Sequence, residues 1–170
     1  MDGGYIRKHL LDLGLSTEFN PWRLAQSLYY DTPSGAFKID RVFYYDAIDW
    51  QSEGAAQQDA YLRRVGAIPF TRVATGYMRE ARRRPREQKA VDVQLAVDAL
   101  EAALSGRFNV CVIFTGDGDF APLLDAVRRA GPFVLVAAFP KSLSLELNEA
   151  ADAVIELSEA QAATWLLDPP

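Results

Sequence analysis

Two aspartates stand two positions apart in the run Phe114-Thr115-Gly116-Asp117-Gly118-Asp119-Phe120, directly after the apolar stretch Val110–Phe114. The pattern describes a buried strand that stops at a glycine-rich turn and delivers two carboxylates to the carboxyl edge of a sheet, where open α/β sheets build their sites. Carboxylates crowded at such an edge repel one another and resist desolvation unless a cation or protons neutralise them. The plain structural alternative is that Asp117 and Asp119 shape a turn and cap the following helix, ordinary work for Asp. Asp2 at the start, Asp46 after a predicted strand and Asp92 in the first turn of a predicted helix also fall at element boundaries. In a parallel sheet those boundaries share one edge, so acids far apart in sequence can converge there. Three or four carboxylates at one edge make an all-oxygen site suited to Mg²⁺ or Mn²⁺. Such a cation would serve hydrolysis of a phosphodiester by acidifying a bound water and shielding the phosphate. A Ser-His or Cys-His nucleophile is not indicated, because the chain has one His and one Cys.

The elements that must position these acids follow from periodicity and punctuation. Tyr5–Leu15 predicts a short helix ending near Gly14, and Asn20-Pro21 a cap and first turn for Trp22–Tyr30. Asp31–Gly35 predicts a loop, and the β-branched and aromatic run Ile39–Tyr45 a strand that leaves Asp46 at its carboxyl end. A helix is expected over Ser52–Val65, a strand over Ala67–Val73, and a helix over Lys89–Leu104 with Val93, Val97, Leu100 and Leu104 as its core stripe. Strands over Asn109–Phe114, Phe133–Phe139 and Ala153–Leu157 alternate with helices over Pro122–Ala130 and Ser144–Ala150. Strands alternating with helices indicate parallel βαβ units covered on both faces. The expected organisation is one domain over 1–160 and a tail over 161–170 that frays.

The 170 residues suffice for one hydrophobic core, and no apolar run is long enough to cross a bilayer. With a single Cys111 inside an apolar strand and no leader pattern at Met1-Asp2-Gly3-Gly4, the sequence suggests a soluble cytoplasmic protein with no membrane partner. His9 reads as a surface residue. The formal net charge of −5 hides an asymmetry: nine Lys or Arg against two Glu between Arg63 and Lys89 leave the remainder at −12. One face could therefore meet a polyanion while carboxylates elsewhere collect a divalent cation. Arg79, Arg82, Arg83, Arg84 and Arg86 are the candidate RNA contacts, on what reads as a loop; a solvated surface run is the simpler alternative. The aromatic cluster Phe43, Tyr44, Tyr45 and Trp50 could stack unpaired bases but more simply packs a core. Asp98 lies on a different helical face from Asp92 and reads as structural.

Three blocks, Asp2-Gly3-Gly4-Tyr5-Ile6-Arg7-Lys8, Lys89-Ala90-Val91-Asp92-Val93-Gln94-Leu95-Ala96-Val97-Asp98 and Thr115-Gly116-Asp117-Gly118-Asp119-Phe120-Ala121-Pro122-Leu123, together resemble the NYN domain, in the LabA-like branch of the PIN-like nuclease superfamily. They occur in the family's order and, with Tyr44-Tyr45-Asp46 and Ser144–Leu157, cover almost the whole chain. The resemblance implies a three-layer α/β/α, Rossmann-like fold with a mainly parallel sheet. It also implies a Mg²⁺- or Mn²⁺-dependent ribonuclease for single-stranded RNA, with Asp2, Asp92, Asp117 and Asp119 as catalytic and metal-holding residues. Asp46, Lys89, Thr115 and Gly116 would support them. A catalytically weak module that binds RNA or a protein is the alternative, and assembly into a homo-oligomer is left open. One departure stands out: in the resembled fold a central apolar strand runs into the Asp-Gly element, whereas only Met1 precedes Asp2. The expectation is a gap between the strands of Tyr44 and Val112, residues 1–4 poorly anchored, and a reading frame that continues upstream with about five to seven mainly apolar codons.

Overall fold

The computed structural model describes residues 1–28, 31–32, 35–77, 79–81, 84–87 and 91–168, with the backbone alone at 31–32, 77, 79–81 and 84–87. Two parallel half-sheets form the middle layer. In the first, β3 (Val42–Ile48) pairs with β4 (Thr71–Tyr77) around the crossover helix α3 (Ala55–Gly66). In the second, β7 (Val110–Phe114), β8 (Phe133–Ala138) and β9 (Ala153–Glu156) lie in that order, all parallel. Two small antiparallel pairs lie outside them: β1 (Asp31–Thr32) with β2 (Gly35–Ala36), and β5 (Arg79–Ala81) with β6 (Arg84–Glu87). Within the segments read as loops, 31–32, 35, 79–81 and 84–86 are thus paired strand residues, while 33–34 and Arg82 and Arg83 lie outside the described residues.

Strand alternation builds a core on each face. Tyr44, Phe114, Leu135 and Ala137 point to one, where helices α1 (Gly3–Asp12), α2 (Pro21–Gln26) and α3 supply Ile6, Leu10, Leu24, Tyr61 and Val65. Tyr45, Ile113, Val134 and Val136 point to the other, under α4 (Val91–Leu104), α5 (Ala121–Arg129) and α6 (Leu145–Ala150). Helix starts follow their sequence signals: Asn20 Oδ1 accepts from the amides of Trp22 and Arg23 ahead of α2, and Ser144 Oγ from Leu147 ahead of α6.

Several expectations give way to tertiary contacts. The face of α4 that enters the core carries Val91, Leu95 and Ala103, whereas Val93, Val97 and Leu104 of the expected stripe are 68%, 53% and 71% exposed. Helix α2 ends at Gln26 rather than Tyr30. Trp165, placed by its sequence in a fraying tail, is buried against Phe139, and the 3₁₀ turn Glu159–Trp165 carries it there. His9 stacks on Phe139 with ring centroids 4.6 Å apart, and its Nδ1 bonds the Tyr5 carbonyl, so it is a packing residue.

The expected gap between the Tyr44 and Val112 strands is present: β3 and β7 are not paired with each other. Residues 1–4, however, are firmly held. The Met1 α-amino group donates to the Phe43 carbonyl at 2.8 Å, Tyr45 N donates to the Met1 carbonyl, and Asp2 N donates to the Phe114 carbonyl. These bonds fix the terminus between both half-sheets, which the reading of a loose end did not foresee.

Candidate active site

The chain leaves β7 at Phe114 and turns at the edge where the strands end. Thr115 is fully buried there; its hydroxyl donates to Asp2 Oδ2 and accepts from Asp117 N, each at 3.3 Å. Asp2 uses its other oxygen to accept from Tyr5 N at 3.0 Å, capping α1. Tyr5 accepts from Phe139 N at 2.8 Å and shares a 2.7 Å bond with Ser142 Oγ, tying α1 to the loop after β8. The opening Asp-Gly-Gly-Tyr motif is therefore a clamp across the edge of both half-sheets.

Asp117 Oδ1 accepts from Asp119 N at 3.0 Å and caps the single 3₁₀ turn Gly118–Phe120, so the capping role weighed from sequence is real. It leaves the other oxygens of the pair available. The glycines are spacers: a Cβ on Gly116 would lie 2.2 Å from the Ser142 carbonyl, and one on Gly118 would lie 3.0 Å from Ser144 Oγ and 3.1 Å from Glu146 Oε2. Main chain and Glu146 carboxylate thus approach the Asp117–Asp119 turn closely. Sequence reasoning passed over Glu146, although the feature that marked Asp92, an acid in the first turn of a helix, marks it too.

Electrostatics joins Asp92 to the others. Its carboxyl is pushed up to about 6, first by burial and then by the negative charges of Asp2, Asp117 and Asp119. Burial raises the Asp2 carboxyl as well, opposed by its bonds to Tyr5 N and Thr115 and by the α-amino group. The Met1 α-amino group is pulled down to about 6 by its own burial, with Asp2 partly restoring it. Four acids from the start of α1, the start of α4 and the turn after β7 therefore share one field. Among the described residues, no three acids, histidines or cysteines are gathered closely enough to hold a metal ion.

Asp46 acts on this group through its charge, which also raises the Asp2 carboxyl. It is inside β3 rather than beyond it, 3% exposed, and accepts from Arg7 and the Tyr44 hydroxyl at 3.0 Å and from Ala47 N at 2.8 Å. It is a buried ion-pair partner. Asp98 accepts from the Tyr45 hydroxyl at 2.8 Å and Gln94 at 2.6 Å, the structural role its helical face implied. Tyr44 and Tyr45 are buried, while Phe43 and Trp50 are partly open. Lys89 lies outside the described residues, as do the side chains of Arg79, Arg84 and Arg86.

The model of the NYN domain matches residues 14–158, most of the chain. The chain belongs to the NYN domain family. That family is part of the PIN-like nuclease superfamily, and the α/β architecture with helices on both sides of parallel strands agrees with it. The matched stretch of this NYN domain contains Asp92, Asp117 and Asp119, while Asp2 precedes it. An uncharacterized protein of Methanocaldococcus jannaschii is 33% identical over 69 residues, which are 41% of this chain and 29% of that protein. The aligned part therefore spans less than a third of this relative. The crystal structure of a protein of unknown function from Vibrio parahaemolyticus superposes with a TM-score of 0.55 at 24% identity, covering 75% of this chain and 72% of the other. That likeness bears on the fold alone. No helix among the described residues is long and apolar enough to cross a membrane.

Proposed function

We propose that this NYN domain, of the LabA-like branch, is a cytoplasmic ribonuclease that hydrolyses single-stranded RNA with Mg²⁺ or Mn²⁺ held by Asp2, Asp92, Asp117 and Asp119. The observation that carries the reading is the meeting of these acids at one edge, where burial first and then the charges of Asp2, Asp117 and Asp119 lift Asp92 to about 6. Carboxylates are the donors that a hard divalent cation takes, although as placed no three of them among the described residues stand close enough together to hold one. When bound, that ion supplies an acidified water and shields phosphate charge. The chain's own residues do the rest: Thr115 orients Asp2 by its 3.3 Å bond, and Asp117 holds the turn that presents Asp119. The arginines of the 79–86 segment are the proposed contacts to the RNA backbone.

Asp117→Asn tests the chemistry without unmaking the turn, because an Asn Oδ1 can still accept from Asp119 N. Cleavage of an end-labelled single-stranded RNA in Mn²⁺, lost in EDTA and lost in this variant, is the expected result. The lack of a closed three-ligand group among the described residues favours a second reading, a catalytically weak module that binds RNA or a protein partner. Unchanged, metal-independent behaviour of Asp117→Asn would select it.

The 79–86 segment carries its own expectation. Phosphate contacts release counterions, with a salt slope of about 0.7 per contact on single strands. Replacing Arg82, Arg83 and Arg84 by Ala should weaken RNA binding across sequences and flatten the slope by up to about 2. An unchanged slope would return the segment to a solvated surface.

A further inference from the structure

Where β3 ends and the chain crosses to α3, a cavity of about 180 Å³ lies between α1, the α1–α2 link and the first turns of α3. Arg7, Glu18, Ser52, Gly54, Gln58 and Tyr61 line it. Ser52 and Gly54 follow the carboxyl end of β3, so the cavity opens at the edge of the sheet that carries the acids. The connection to them is short: Asp2 is level with Tyr45 of β3, and the next residue, Asp46, bonds Arg7 at 3.0 Å and Gln58 at 3.4 Å. The charges in the wall are already paired, Arg7 Nη1 with Asp46 and Glu18 Oε2 with Arg64 Nη1 at 2.7 Å. Gln58 Nε2 donates to the Ala47 carbonyl at 2.7 Å. Each of these side chains keeps a second polar atom that bonds nothing among the described residues: Arg7 Nη2, Glu18 Oε1 and Gln58 Oε1. Arg7 Nε is buried without a partner as well.

We propose that this cavity is a subsite for one unpaired guanine of the RNA; that the ligand is RNA rests on the function proposed above. A pocket below the range of about 300–1,000 Å³ that takes drug-sized ligands suits a fragment the size of a base. Because both ion pairs are closed, the fitting occupant is a neutral group with donors and acceptors of its own. A free phosphate would face the carboxylates of Glu18 and Asp46 with no unpaired cation in the wall to meet it. The wall offers two acceptors, Glu18 Oε1 and Gln58 Oε1, and one donor, Arg7 Nη2. Guanine alone among the four RNA bases sets two adjacent donors, N1–H and the 2-amino group, beside an acceptor, O6. Arginine is also the commonest specific partner of the guanine O6 edge. Tyr61 closes the inner end, with the Arg7 guanidinium carbon 5.6 Å from the centre of its ring. Trp50, 61% exposed, stands in the same β3–α3 link and gives a neighbouring base a face to stack on.

Nucleosides test the cavity in EDTA, with no metal and no phosphodiester, so the outcome is separate from that of the nuclease reading. Guanosine, inosine, adenosine, cytidine and uridine are titrated into the full chain and followed by saturation-transfer NMR. Guanosine should bind at least about tenfold more tightly than adenosine, cytidine or uridine, because a site that hydrogen-bonds one base edge rejects bases that leave its groups unpaired. Inosine lacks only the 2-amino donor and should bind about fivefold or more weakly than guanosine. Glu18→Ala removes one acceptor from a partly exposed ion pair and should bring guanosine and inosine level. Gly54→Phe fills the cavity from a position where an added Cβ meets nothing within 4 Å. It should abolish guanosine binding while melting within about 4 °C of the parent. Equal affinity for the four RNA nucleosides, no saturable binding of guanosine, or guanosine binding unchanged in Gly54→Phe would overturn the proposal. A chain that binds guanosine through this cavity but cleaves no RNA would keep the subsite and overturn the nuclease reading alone. One that cleaves RNA but binds all nucleosides alike would do the reverse.

Discussion

Asp46→Ala should be the most destabilising single replacement of a charged residue in this chain, at about 3 kcal/mol or more, the range for removing one partner of a buried ion pair. On a domain of this size that corresponds to a melting temperature lower by about 6–12 °C. Asp46 and Arg7 are 3.0 Å apart, with side-chain exposures of 4% and 23%. Arg7 would keep only the Tyr61 ring, 5.6 Å from its Cζ, and its Nε is already buried without a partner. The Tyr44 hydroxyl and the Ala47 amide would lose their acceptor at the same time. Arg7→Ala strands the carboxylate and should cost a similar amount, whereas Arg7→Ala/Asp46→Ala should cost clearly less than the sum, since neither charge is left alone. Urea melts of the four proteins settle it. Strict additivity, or an Asp46→Ala chain within about 1 kcal/mol of the parent, would mean that the pair does not hold this side of the site.

That pair also shows where the sequence was legible and where it was not. The turn after β7 could be read because its information is local: an apolar run, two glycines and two aspartates within ten residues specify strand, turn and cap together. Asp46 was misplaced at a strand end because nothing near it in sequence announces a cation; its partner Arg7 comes from α1, brought up by tertiary packing. Helix α4 shows a different kind of ambiguity. Val91-Asp92-Val93-Gln94-Leu95-Ala96-Val97 carries apolar residues on two faces at helical spacing. Only the positions of β3, β4 and α5 decide that Leu95 is inside and Val97 outside. The anchoring of Met1 could not be read either, since it depends on carbonyls and amides of β3 and β7 that meet only after folding. Glu146, an acid in the first turn of α6, was within reach of the rule that found Asp92.

Asp92→Asn should separate activity from stability with opposite signs. In the folded chain the Asp92 carboxyl titrates at about 6, above its ordinary 3.8, because burial and the charges of Asp2, Asp117 and Asp119 oppose ionisation. A raised acid pKa means that the folded state keeps a proton the unfolded state has lost. Stability therefore falls as pH rises from about 4 to about 6, and the penalty is complete above that. Asparagine carries no such penalty. With metal chelated, the variant should match the parent near pH 4 and melt higher at pH 7.5. A shift of this size in a dry site would be worth about 3 kcal/mol; Asp92 is exposed enough for water to screen much of it, so about 1 kcal/mol, or 2–4 °C, is expected. Cleavage should move the other way, falling at least about a hundredfold, the scale of deleting one preorganised electrostatic contact from a catalytic centre. Manganese should raise the melting temperature of the parent more than that of the variant, because only the parent keeps all four carboxylates. A variant that is no more stable than the parent at neutral pH in EDTA would show that the acids are not close enough to repel. One that cleaves RNA at the parental rate would remove Asp92 from the chemistry and, with it, the principal physical reason for placing a metal at this edge.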